Sequence, residues 1–131
     1  MIATGVTTRV REFIRKTFAF LGVELDFTGS SQDETATIAS VDRARLQELG
    51  IQYGEHLSSG TVIMRIDPRY YRPTEVKLLI GDPTKSKSKL GWKPKYTLDR
   101  LIEEMALADL KLFQKDQLLK KEGFNVLNYF E

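Results

Sequence analysis

Residues 66–96 (IDPRYYRPTEVKLLIGDPTKSKSKLGWKPKY) constrain the fold more tightly than any other part of the chain. They contain a proline directly after an aspartate, at Asp82-Pro83, and a Gly-Trp-Lys-Pro sequence that begins at Gly91. Proline has a fixed φ and no N–H, so it suits the first turn of a helix and cannot continue one. The stretch therefore predicts a short apolar strand over residues 76–81, a helix capped by Asp82 and started by Pro83, and a helix end at Gly91.

The same stretch has an excess of positive charge. Residues 65–95 hold nine Lys or Arg side chains against three Asp or Glu, whereas the other hundred residues hold eleven basic and fifteen acidic side chains. An acidic body with one basic segment flanked by aromatic residues favours a site for an anion such as a phosphate. The whole-chain charge of +2 is too small and too mixed to indicate nucleic-acid binding overall.

Arg72 and Glu75 are the first two candidate site residues. Pro73 pushes Arg72 towards extended backbone and fixes its own φ, so both side chains are expected to leave a rigid turn. An arginine held in this way offers two parallel donors to a phosphate or a diol. The alternative is that Arg72 and Glu75 pair with each other on the surface, which contributes about 0–1 kcal/mol.

Arg11 is the third candidate. Apolar residues recur at helical spacing from Val10 to Leu21, and Gly22 stands where a helix end is expected, which predicts a helix between them. Arg11 falls in its first turn, beside the strand-to-helix loop where α/β proteins usually bind ligands. Most arginines at polar helix positions are simply solvated, and that alternative stays open.

The remaining pattern predicts an α/β domain of short elements. Residues 1–4 are expected to form a buried strand, and strands are expected over residues 23–27, within 29–41 and over 61–66. A short helix is expected from Asp42 to Leu49, with Gly50 at its end, and Thr97 caps the longest helix. The apolar stripe expected to face the core on that helix comprises Leu98, Leu101, Ile102, Met105, Ala108 and Leu112.

Four further expectations concern particular segments of a single domain that spans residues 1–131. Residues 29–66 contain no chemical motif and are interpreted as an inserted elaboration. Trp92 is expected to fold back into the core, and the apolar tail over residues 124–131 is expected to dock on another surface. His56 is the only histidine, and as a lone loop residue it is expected to be solvated.

Composition and missing motifs exclude several function classes. The absence of cysteine excludes disulfides, cysteine zinc sites and thiol nucleophiles, and it fits a reducing compartment, so a cytoplasmic location is expected. No secretory leader pattern is found, and no apolar run approaches the ~20 residues that a membrane helix needs. No glycine-rich phosphate loop, no metal-ligand spacing and no Tyr-x-x-x-Lys is found either. We therefore expect no catalytic, cofactor-binding or metal-binding residue in this chain.

Three motifs give the chain a family resemblance: YRPTEV at residues 71–76, LIGDPTK at 79–85 and LGWKP at 90–94. With these motifs the chain resembles the C-terminal part of the GDP-mannose 4,6-dehydratases, which are extended short-chain dehydrogenases/reductases. IATG at residues 2–5 and VREF at 10–13 resemble the start of that part, and residues 29–66 resemble the insert of the longer bacterial-type versions. The resemblance covers nearly the whole chain.

The resemblance implies a fold and a set of site residues. The expected fold is a small α/β lobe of α+β character, the sugar-nucleotide-binding part of an extended Rossmann-type enzyme whose Rossmann half is missing here. That half holds the glycine-rich NADP loop and the catalytic Ser/Thr, Tyr and Lys, so NADP is the cofactor of the full-length family and no cofactor is expected in this chain. For GDP-mannose, the resemblance implies that Arg72 contacts the ribose or diphosphate, Glu75 the ribose hydroxyls and Arg11 the diphosphate.

Two other function classes stay open at this point. The first is a free-standing module that binds RNA or another polyanion through its basic segment, although the strands lack the regularly spaced aromatic residues of a base-stacking platform. The second is a structural lobe that completes an oligomer. The expected partners are therefore the nucleotide half of GDP-mannose, together with the missing Rossmann domain or a second copy of this chain.

The missing motifs predict that the purified 131-residue chain does not convert GDP-mannose in the presence of NADP. Hydride transfer needs a held nicotinamide, and acid–base catalysis needs positioned groups of suitable pKa. A coupled assay for the 4-keto-6-deoxy product, run on chain purified free of any host dehydratase, should show no turnover above the protein-free blank. Reproducible turnover that co-purifies with the chain would contradict this expectation.

Overall fold

The structure is a computed structural model that describes residues 1–72 and 79–126. Within these ranges loops connect four helices and three strands, and two single turns of 3₁₀ helix, Ser31–Asp33 and Glu55–Leu57, lie in the loops. In chain order the main elements are α1 (Val10–Phe20), β1 (Val23–Thr28), β2 (Thr35–Val41), α2 (Arg43–Glu48), β3 (Val62–Arg65), α3 (Thr84–Leu90) and α4 (Leu98–Lys121).

The three described strands form an antiparallel sheet in which β2 is central. In the first pair Phe27 lies opposite Ala36 and Thr28 opposite Thr35, and in the second pair Thr35 lies opposite Arg65. The chain is therefore a small α/β domain with a three-stranded antiparallel sheet. All three predicted strands of residues 23–66 are confirmed.

The buried core lies between this sheet, α1 and α2. Its fully buried members are Val23, Leu25, Ala36, Ile38 and Leu46, against which Ile14 and Phe18 of α1 pack. Alternate residues of β1 and β2 point into it, as a half-buried strand requires. Three of the five buried residues lie within the segment 29–66, so the segment interpreted as an inserted elaboration supplies much of the core.

The predicted helix ends are confirmed. The Asp42 carboxylate accepts a hydrogen bond from the Arg45 N–H at 3.0 Å, and the Thr97 hydroxyl accepts one from the Arg100 N–H at 3.3 Å. Both bonds satisfy an N–H that the first turn of a helix leaves without a backbone partner. The helix ends expected at three glycines also occur, each with a positive φ: Gly22, Gly50 and Gly91.

The apolar stripe predicted for α4 is only partly correct. Ile102 and Ala106 are buried, whereas Leu101 and Met105 are 43% and 47% exposed. The reason is that α4 makes its main contact among the described helices with α1, and packing against one helix buries only a narrow face that recurs every four residues. An ion pair between Lys16 of α1 and Asp99 of α4 lies at the start of this contact.

The predicted strand over residues 1–4 is wrong, because this segment has no regular secondary structure and Met1 and Ile2 are exposed. It nevertheless lies along residues 81–83: a Cβ on Gly81 would lie 2.5 Å from the Ala3 Cβ. The remaining segment, residues 76–81, was also predicted as a strand, but residues 73–78 lie outside the described part of the chain.

Trp92 is half-buried and does not belong to the core cluster, so its predicted place in the core is also wrong. Its backbone N–H donates to the Ser86 carbonyl at 3.3 Å, which ties the segment after α3 back to that helix instead. Of the apolar tail, residues 127–131 lie outside the described ranges, and Phe124 is exposed. None of the helices in the described ranges is long and apolar enough to cross a membrane.

Replacing Ile38 with alanine should lower the free energy of unfolding by about 2–5 kcal/mol, because it leaves a cavity at a fully buried position. Ile38 lies on the central strand and is 1% exposed. Val62→Ala in β3 is the control, since Val62 belongs to the same sheet and is 41% exposed. Urea denaturation followed by circular dichroism measures both variants. Equal losses for the two substitutions would contradict the assignment of the core to residues 23–46.

Candidate functional site

The Arg11 side chain lies at the start of α1 and is held by an acidic partner from the loop that connects β1 and β2. Its Nε–H donates to Oε1 of Glu34 at 2.6 Å, within an ion pair. Arg11 is 42% exposed, whereas Glu34, which directly precedes β2, is 17% exposed. The pair therefore joins a half-exposed cation to an anchored carboxylate across 23 residues of sequence.

The phenyl ring of Phe27 forms the other support of Arg11. The guanidinium carbon of Arg11 lies 5.6 Å from the ring centroid, and that of Arg15, one helical turn later, lies 5.1 Å from it. A guanidinium over an aromatic ring is stabilised by the negative face of the π system. We call Arg11, Phe27 and Glu34 the Arg11 clamp. Arg15 is paired separately, with Glu12 of the same helix.

The tight β1–β2 hairpin fixes the position of Glu34. Gly29 has a φ of +77°, and a Cβ at this position would lie 2.2 Å from the Asp33 carbonyl oxygen, so only glycine fits there. The hydroxyl groups of Thr28 and Thr35 are 3.1 Å apart at the end of the ladder. Glu34 directly precedes Thr35, and from this position its side chain reaches Arg11 at the start of α1.

Glu34 also determines the electrostatics of Arg11. The hydrogen bond and the charge of Glu34 raise the pKa of the Arg11 guanidinium above its usual value, and the charge of Glu12 adds to this. Arg11 is therefore a permanent cation, and no change of pH in the range where proteins fold releases it from Glu34 by deprotonation.

Arg72 follows a turn that is closed by Asp67. The Asp67 carboxylate accepts hydrogen bonds from the Arg69 N–H at 2.9 Å and from the Arg69 guanidinium at 2.7 Å, and the Tyr70 N–H donates to the Asp67 carbonyl at 3.0 Å. These bonds to Arg69 hold the pKa of Asp67 below its usual value. Arg72 itself is exposed and forms no hydrogen bond or ion pair with any other described residue.

Glu75 and Pro73 lie outside the described residues. The structure therefore places Arg11 and Arg72, and it joins Arg11 to Glu34. No described residue forms a hydrogen bond or an ion pair with both Arg11 and Arg72. The convergence of Arg11, Arg72 and Glu75 on one pocket stays a prediction.

The helix α3 presents lysines to solvent. Lys85, Lys87 and Lys89 are exposed, whereas Ser86 is buried and donates to the Pro83 carbonyl at 2.8 Å. The helix spans Thr84–Leu90 and directly follows Pro83, as predicted.

The predicted role of Asp82 at this helix start is confirmed. Its carboxylate accepts hydrogen bonds from the Thr84 N–H at 2.9 Å and the Thr84 hydroxyl at 2.5 Å, and these bonds lower the pKa of Asp82. The carboxylate therefore stays ionised and holds the helix start in place over the whole neutral pH range.

The described side chains support binding of an anion more directly than they support catalysis. Within residues 1–72 and 79–126, no group of three or more His, Asp or Glu side chains is placed to hold a metal ion. His56 is exposed, as expected for a solvated residue. The described residues offer exposed positive charge at three places: Arg11, Arg72 and the lysines of α3.

Sequence reasoning identified Arg11 but missed Phe27 and Glu34 as its supports. Part of the signal was present, because the alternation of residues 23–27 places Phe27 on the same face of β1 as Val23 and Leu25. The position of Glu34 depends on the length and turn geometry of the hairpin, which alternation alone does not specify.

Comparisons with known proteins match the chain to one family. A family model described as GDP-mannose 4,6 dehydratase matches residues 1–105. The chain is 41% identical over 126 residues to a GDP-mannose 4,6-dehydratase of Yersinia enterocolitica and 42% identical over 126 residues to one of Vibrio cholerae serotype O1. Each match covers 96% of this chain and 32% of the relative.

A more distant relative is the human GDP-mannose 4,6 dehydratase, which is 37% identical over 114 residues, 87% of this chain and 26% of the human protein. The chain thus spans about a third of the length of the bacterial relatives, and it matches their C-terminal part.

Proposed function

The chain belongs to the GDP-mannose 4,6-dehydratase family, and we propose on this basis that it forms part of the nucleotide-sugar binding site of such an enzyme. The observation that carries the proposal is the Arg11 clamp, a half-exposed guanidinium held on one edge by Glu34 and on one face by Phe27. A cation fixed in this way suits a diphosphate, whose oxygens accept parallel charged hydrogen bonds.

Three residues bind the nucleotide half of GDP-mannose in this proposal. Arg11 donates to the diphosphate, Arg72 donates to the diphosphate or the ribose, and Glu75 accepts from the ribose hydroxyls. The exposure of Arg72 directly after the Asp67 turn supports its role, because its donors are not used by another described residue. The exposed lysines of α3 add positive charge that attracts an anion over a longer range.

The proposal assigns binding, not chemistry, to this chain. In a complete enzyme of this family, NADP would supply the hydride transfer, and residues outside this chain would hold it. The sequence contains no glycine-rich strand-turn-helix to hold a dinucleotide, so these residues do not fit the cofactor, and no step is assigned to them. The extended short-chain dehydrogenase/reductase fold and a cytoplasmic location are further parts of the proposal, the latter supported by the lack of cysteine.

Replacing either Arg11 or Arg72 with alanine should weaken binding of GDP to the chain by about tenfold, the usual effect of losing a charged hydrogen bond. Calorimetry at low ionic strength measures the affinity, which we expect to be weak in the unmodified chain. Arg43→Ala is the matched control, because Arg43 also lies over an aromatic ring, that of Tyr53, and has no part in the proposed site. Equal affinity for all four proteins would contradict the proposal, and an equal loss in the control would mean that GDP responds only to net charge.

A further prediction concerns self-association of the purified chain. The exposed apolar residues near the adjacent segments 1–5 and 81–83 are Val6, Leu79, Ile80 and Leu90, and such apolar surface is normally covered. We therefore expect concentration-dependent self-association of the purified chain, measured by light scattering. A Leu79→Lys substitution should reduce it, whereas Leu118→Lys, at another exposed apolar position, on α4, should not. A strictly monomeric chain at all concentrations would contradict the expectation.

A further inference from the structure

We propose that Glu34 is a positioning residue, which together with Phe27 orients the Arg11 guanidinium so that its two terminal nitrogens face the diphosphate. This inference rests on the proposed function and deepens it, since it assigns a role to a residue outside the recognised motifs. Three observations support it. Glu34 binds one edge of the Arg11 guanidinium, and Phe27 covers one of its faces. The Arg11 side chain is also more exposed than that of Glu34.

The contact with Glu34 uses only one of the five N–H groups of Arg11. A guanidinium has one N–H on Nε and four on its terminal nitrogens, arranged in a rigid plane. Glu34 accepts from Nε at 2.6 Å, and the terminal nitrogens of Arg11 donate to no other described residue. Holding Nε therefore fixes the direction of the plane while leaving the outer edge available to a bidentate acceptor such as a diphosphate.

Phe27 restricts the rotation of the Arg11 guanidinium that the hydrogen bond to Glu34 leaves free. A side chain held only by a hydrogen bond to Nε still rotates about that bond, but a ring 5.6 Å from the guanidinium carbon limits this rotation. Arg15 is a useful comparison. It covers the same ring, but its ion-pair partner is Glu12 on its own helix, three residues away. Of these two arginines, only Arg11 is hydrogen-bonded to a residue outside α1, so its orientation depends on the β1–β2 hairpin as well as on the helix.

Glu34 can affect GDP binding in two opposite ways, by orienting Arg11 and by repelling the diphosphate. The direction in which the GDP affinity changes when Glu34 is removed therefore tests the inference. Glu34 is a negative charge next to the proposed diphosphate, so its removal should tighten GDP binding if the carboxylate only neutralises Arg11. If Glu34 positions Arg11, its removal should weaken binding despite the loss of a negative charge, because a flexible arginine loses side-chain freedom on binding.

The experiment compares the GDP affinity of the unmodified chain with that of three variants by calorimetry. Glu34→Ala should weaken GDP binding by about five- to tenfold, the effect of one hydrogen bond whose geometry is lost. Glu34→Gln keeps a neutral acceptor for Nε and should weaken binding less. Glu12→Gln removes the same charge from the neighbouring pair without touching Nε of Arg11, and it should leave the affinity unchanged or slightly tighter. Thermal unfolding of each variant excludes loss of folded protein as the cause.

A double mutant separates this inference from the proposed function. In the Arg11→Ala background, Glu34→Ala should have no further weakening effect on GDP binding, because Glu34 acts only through Arg11. Tighter or unchanged binding of the single Glu34→Ala variant would overturn the inference while leaving the role of Arg11 intact. If Arg11→Ala itself binds GDP like the unmodified chain, the proposed function of Arg11 fails, and the inference fails with it.

Discussion

Burial of one face of the central strand is the constraint on which the rest of the structure depends. Ala36 and Ile38 of β2 are almost wholly buried, and β1 and β3 pair on either side of the strand. A shift of the register by one residue would turn these side chains towards solvent and expose the core. Burial therefore favours the observed pairing of the strands, and this pairing determines which residues lie at the ends of the sheet.

The proposed site inherits its geometry from that register. Because Thr28 lies opposite Thr35, Phe27 and Glu34 occur together at the hairpin end of the sheet, and α1 packs across the sheet with Arg11 above them. The rigidity of the site thus comes from apolar burial some distance away from the charges. This is consistent with a general division of labour in proteins, in which a packed scaffold positions polar groups that would otherwise be mobile.

The sequence predicted the parts of this structure that depend on local chemistry. The caps at Asp42 and Thr97 and the glycine at the end of α1 each have a short-range cause, and each was correct. The errors arose where a distant partner decides the outcome. Trp92 is half-buried and residues 1–4 are not a strand, because burial and strand pairing both depend on which surface lies opposite, and apolar composition does not specify that. For the same reason the sequence identified Arg11 as a candidate from its place in the helix, but it did not predict the contact of Arg11 with Glu34.

The most direct test of one nucleotide site is to follow the Nε–H signals of the arginine side chains by nitrogen–proton NMR while GDP is added to the full chain. If Arg11 and Arg72 bind the same ligand, their Nε–H signals shift together with a single dissociation constant, and the signal of Arg43 over its tyrosine ring stays in place. Shifts of the two arginines with different dissociation constants, or a shift of only one of them, would contradict the account.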